Sequence, residues 1–167
     1  MLKRILLILL FLGYVINIYA QSFNEDKTAF SNFLKRMYTA QPFEGVKIVD
    51  DYVHQYLVSV VSLEKAKYTN ESIINRVAQV KSQSQANTFL NGASITMDMV
   101  ITTKETKDST NNVETIVETV EQIKQNSVGF TQGLELLANF DHTDARRKVF
   151  IYMRELIKEK NKISFRT

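Results

Sequence analysis

Hydrophobic positions change their period several times along the chain, and each change predicts a change of element. An apolar run from Ile5 to Leu12 continues through Val15 and Ile16 to Ala20, with Lys3 and Arg4 before it and Gln21 and Ser22 after it. Basic head, apolar middle and small exit residue predict a secretory signal peptide over 1–20, because the apolar core is shorter than the roughly 20 residues of a membrane span. The alternative is an uncleaved N-terminal anchor, for which Ile18 speaks, being bulky where signal peptidase prefers a small side chain. Residues 21–167 are expected to form a single α+β domain.

From Asn24 to Tyr38, Phe30, Phe33, Leu34, Met37 and Tyr38 fall at the i, i+3, i+4, i+7, i+8 spacing of a helix with one buried face. Pro42 and Gly45 then stop the helix and turn the chain into extended structure. Val46 to Val49 and Tyr52 to Leu63 predict two strands of a hairpin, rich in β-branched residues at Val58, Val60 and Val61, with Asp50 and Asp51 as the turn between them. Over Glu71 to Leu90 the helical period returns through Ile73, Ile74, Val77, Val80, Phe89 and Leu90, with Thr69 or Asn70 as N-cap and Asn91-Gly92 as the stop. Period two resumes at Ile95, Met97, Met99 and Ile101, a strand with an apolar face.

Val113 to Asn126 carries two conflicting signals. Val113, Ile116, Val117, Val120 and Ile123 follow a helical stripe, whereas the abundance of valine, isoleucine and threonine favours a strand. After it, Leu134, Leu136 and Leu137 form an extended run, Asp141 to Asp144 a turn, and Val149, Ile151 and Met153 alternate with Phe150, Tyr152 and Arg154 in a second hairpin. The fold class expected is α+β, an antiparallel sheet with one long helix packed on it and an extra N-terminal helix. The alternative is a helical bundle in which Val113 to Asn126 is a third helix.

Composition narrows the chemistry. The chain has 167 residues, no Cys, no Trp and two His, which excludes a disulfide scaffold, thiolate metal sites, a Cys nucleophile and a lipid-modified Cys. Removing Lys3 and Arg4 leaves 19 basic against 18 acidic residues, so the net charge falls from +3 to +1 and no basic stripe points to nucleic acid.

Two stretches, RVAQVKSQSQANTFLNGASITMDMV at Arg76 to Val100 and SVGFTQGLELLANFDHTDARRKVFIYMREL at Ser127 to Leu156, resemble the twenty-kilodalton outer-membrane lipoprotein and flagellar accessory (FlgP and FlgT N-terminal) family. The features that carry the resemblance are Ala78, Ala86, Phe89, Leu90 and Gly92 on a helix, then Gly129, Gly133 and the strand Val149 to Met153. The resemblance implies a helix packed on an antiparallel sheet, an envelope location and a role in assembly or adhesion without catalysis, and it tilts Val113 to Asn126 toward a long strand. This sequence departs from the lipoprotein members in having no Cys after the signal segment, which removes the lipid route and favours a soluble periplasmic or secreted form.

Candidate reactive residues have structural readings that weigh more. Asp50 and Asp51 read as turn residues before they read as an acid-base pair. His54 stands near Tyr52 and Tyr56, His142 between Asp141 and Asp144, and their separation leaves no triad. Asp141, His142 and Asp144 could hold a cation but match ordinary turn chemistry. Ser127 lacks a nucleophile frame. Met97 and Met99 read as core rather than as a metal site. Arg146, Arg147 and Lys148 read as a solvated strand edge before an anion-binding cluster. Asn70-Glu71-Ser72 has the form of a glycosylation sequon but reads as a helix start.

No catalytic, cofactor or metal residue is therefore assigned. The expected function is an exported, non-catalytic cell-envelope protein that binds an envelope protein or itself through sheet edges, with membrane contact only through the signal segment. The alternative is a small periplasmic ligand-binding protein or hydrolase with a pocket lined by Tyr52, Tyr56 and Phe130.

Overall fold

A computed structural model describes residues 27–51, 54–92, 96, 99–102 and 109–156; the signal peptide expected over 1–20 lies outside them. The chain divides into two compact units, Met1–Pro42 and Phe43–Thr167. In the first, residues 27–40 are helical (α1), and the last turn closes with the Gln41 amide donating to the Met37 carbonyl at 2.9 Å just before Pro42. The proline stops the helix where the sequence predicts.

The second unit runs β1 (Gly45–Asp50), β2 (Gln55–Glu64), a 3-10 turn at Lys65–Lys67, α2 (Glu71–Gly92), β3 (Val100–Thr102), α3 (Ser109–Lys124), α4 (Ser127–Gln132), β4 (Glu135–Asp141) and β5 (Arg147–Glu155). The fold is α+β. The five strands lie in the order β3-β1-β2-β5-β4. Four of them pair antiparallel, with Ile48 opposite Leu57 and Ser59 opposite Tyr152, whereas β3 joins β1 in parallel through Ile48 and Val100. The sheet is therefore mixed rather than purely antiparallel. A parallel neighbour needs a crossover connection, and the path through β2 and α2 supplies the one from β1 to β3. The strand expected from Ile95 is short, three residues from Val100, and Met97 lies outside the described residues.

Asn70 caps α2, its side-chain oxygen accepting from the Ile73 amide at 2.9 Å. The helix extends through Gly92, and Gly45 is the positive-φ glycine among the described residues, at 113°, so Gly92 is not the left-handed stop expected. The buried side of α2 also differs from the predicted stripe. It consists of Ile74, Ala78, Ser82, Ala86 and Leu90, while Ile73 and Val80 are 44% and 59% exposed. The row of small residues at i+4 spacing brings the helix backbone close to the sheet. There, Ser59 donates to the Ser82 carbonyl at 3.3 Å, and the Gln85 amide reaches Ser59 Oγ at 2.7 Å and the Val60 carbonyl at 3.0 Å.

Val113 to Asn126 forms no strand: residues 109–124 are the helix α3, against the tilt given by the resemblance and in line with the period. Ile116 and Val120 are buried one turn apart and Ile123 packs beside them, so the apolar stripe faces the core and outweighs β propensity. The sheet remains, which excludes the helical bundle.

The core on this face joins Ile48, Leu57, Val61, Phe150 and Tyr152 of the sheet to Ile74, Leu90, Ile116 and Phe130 of the helices. Val49, Val58, Val60, Val149, Ile151 and Met153, on the alternate positions, are buried as well. Strands buried on both faces read as near-continuous apolar runs; VFIYM in β5 reads so, and in β2 Ser59 and Ser62 interrupt the run yet are buried as well.

A candidate binding groove beside helix α2

The glycine at 45 opens β1 with a backbone conformation that L side chains rarely adopt, and Glu44 just before it holds Lys81 at 3.6 Å and Arg147 at 2.5 Å. This corner fixes the start of β1 against the middle of α2. Between them lies a groove of about 960 Å³, within the size range of small-molecule sites. Gly45 and Val46 form one wall, and Ile73, Val77, Val80 and Phe89 supply the apolar lining from α2.

Its polar lining is mostly engaged. Gln85 donates to the Gly45, Val60 and Ser59 oxygens, Thr88 Oγ1 donates to the Ser84 carbonyl at 3.0 Å, and Lys81 faces Glu44. Among the described residues, Arg76 alone of the lining cations has no ion-pair partner, and no carboxylate lines the groove. The groove is thus an apolar trough with two lining cations, of which Arg76 has no ion-pair partner among the described residues.

The pocket expected from Tyr52, Tyr56 and Phe130 does not assemble. Tyr52 lies outside the described residues, and strand alternation sends Tyr56 to the face opposite Leu57, whereas Phe130 packs in the same cluster as Leu57.

The two histidines mark opposite ends of the sheet. At the β1–β2 connection His54 Nδ1 contacts Glu155 Oε1 at 2.6 Å, while the His54 amide donates to Asp51 Oδ1 at 2.6 Å and the Asp51 amide to the His54 carbonyl at 3.0 Å. Asp51 is a turn residue as expected, but Asp50 is the last residue of β1 and is buried. At the β4–β5 connection His142 Nδ1 lies 3.2 Å from Asp144 Oδ1. The Arg146 amide, the foremost cause, and His142 hold the Asp144 carboxyl below the usual range. Asp141 turns away to Lys65 at 3.1 Å. No group of three or more His, Cys, Asp or Glu suited to a metal ion occurs among the described residues.

Ser127 is buried in the first turn of α4 and accepts from Asn91 Nδ2 at 2.9 Å, a helix-to-helix tie. The basic run disperses: Arg147 pairs with Glu44, Lys148 with Glu71, and the Arg146 amide closes the turn onto Asp144. The free edge at β4 is guarded by a register shift between Leu136 and Ala138 and by Glu135 and Asp141 near its ends. Sequence reasoning missed the groove because Ile73 and Val80 were counted as core; the signal that could have found it is the apolar excess of α2, whose Ala78, Ser82 and Ala86 leave Val77 and Val80 for another side.

No helix among the described residues is long and apolar enough to cross a membrane. No family model, curated protein or solved structure matches the chain.

Proposed function

We propose that this is an exported, non-catalytic cell-envelope protein that acts by binding, and that the groove beside α2 is where it binds. The observation that supports this reading is the apolar lining of that groove, with Val80 59% exposed on a helix otherwise anchored by Ile74, Ala78, Ala86 and Leu90. Exposed contiguous apolar surface in a concave site marks binding rather than packing. The register shift and end charges of β4 disfavour strand addition at that edge, which supports the groove over β4 as the binding surface. Export rests on the order of Lys3, Arg4, the apolar run and Ala20.

The test uses N-phenyl-1-naphthylamine, a neutral apolar dye whose fluorescence rises in apolar sites. The purified protein should bind it saturably. Val80→Asp should abolish binding, while Val128→Asp, at an equally exposed position on α4 outside the groove, should leave it unchanged. Equal loss in both variants, or none in either, rejects the groove as the site.

A further inference from the structure

We infer that the occupant of the groove is a single-chain anionic amphiphile, a long-chain carboxylate whose head meets Arg76 and whose tail lies along α2 toward Phe89. The inference rests on the groove being the binding site and adds the chemistry of what fills it. The first argument is charge. Lys81 shares Glu44 with Arg147, Gln85 and Thr88 spend donors on neighbouring oxygens, and among the described residues no acid lines the groove, so Arg76 is the lining cation with no ion-pair partner among them. Guanidinium presents a planar fork of donors that matches a carboxylate.

The second argument is length. Arg76 and Phe89 are both on α2, thirteen residues and about 20 Å apart along its axis and about 140° apart around it, so a chain joining them crosses the helix surface obliquely. A bilayer core of about 30 Å holds two acyl chains end to end, so one extended chain needs about 15 Å. Val77, Val80 and Val46 line the same groove with methyl groups, and Ser84 adds a single hydroxyl among them. A trough of this shape suits a linear tail better than a compact polar metabolite, which would leave its own hydrogen-bonding groups without partners.

The experiment is competition against bound N-phenyl-1-naphthylamine, with palmitate and cetyl alcohol as matched chains that differ in charge, both below their aggregation concentrations. Palmitate should displace the dye about tenfold more effectively than the alcohol, the worth of one charge-assisted contact. Arg76→Gln should remove that preference, read as the ratio of palmitate to cetyl alcohol displacement within each variant. Equal displacement by the two chains, or a preference that survives Arg76→Gln, overturns the inference. If the dye binds and palmitate does not displace it, the groove reading stands and the amphiphile does not; if the dye does not bind, both fail. A concentration-dependent dimer that Val80→Asp dissociates would assign the groove to a second copy instead.

Discussion

The guanidinium of Arg154 lies 4.5 Å from the ring centroid of Phe130 and donates to the Phe130 carbonyl, with a second bond to the Gly129 carbonyl at 3.0 Å. One side chain of β5 thereby satisfies backbone carbonyls of α4 and covers the aromatic ring that α4 contributes to the core. A six-residue helix is too short to hold itself, so its position depends on this tie.

Gly133 makes the tie breakable by a single methyl group. A Cβ there would overlap the Arg154 guanidinium. Gly133→Ala should lower stability by about 0.5–1 kcal/mol, because the flexible guanidinium can swing aside and the φ of −87° suits alanine, which offsets part of the lost charge-assisted hydrogen bonding. Urea denaturation checks it, and combination with Arg154→Ala should add far less than the sum, because both changes remove the same contacts.

The small-residue row of α2 should respond asymmetrically. Ser82 Oγ is buried without a hydrogen-bond partner, so Ser82→Ala should stabilise by about 0.5–1 kcal/mol through removal of an unsatisfied group and better helix propensity. Ala86→Leu, fully buried against the sheet, should destabilise by about 1–3 kcal/mol through overpacking. A Ser82→Ala loss, or a neutral Ala86→Leu, would refute the close approach of helix and sheet.

Tyr152 governs the alkaline limit. Burial raises its hydroxyl above the ordinary value of about 10. Between the unfolded and the raised native value the folded state holds the proton more tightly, so this contribution is intact below about pH 10 and is lost as the pH rises through the native value. Stability measured from pH 8 to 11.5 should fall more steeply in the parent than in Tyr152→Phe. Parallel profiles would show that the hydroxyl is solvated.

Export predicts a mature N-terminus at Gln21, read by mass spectrometry of envelope and medium fractions. A chain beginning at Met1 in the cytosol would remove the export proposal.

Local sequence determined the elements where one signal dominated. Pro42 ends α1, Asn70 caps α2, and the stripe of Ile116, Val120 and Ile123 makes α3 a helix despite its β-branched residues, because a one-sided apolar period is stabilised by packing that propensity cannot match. Tertiary structure decided what periodicity leaves degenerate. α2 carries apolar residues on more than one side, and only the approach permitted by Ala78, Ser82 and Ala86 selects which side is core and leaves Val77 and Val80 to line a groove. The candidate site was illegible for the same reason. It joins Val46 to residues more than twenty-five positions away, and a free cation such as Arg76 becomes visible only when the partners of every other charge are known. Burial and pairing are properties of the assembled fold, whereas caps, stops and stripes are properties of a few neighbouring residues.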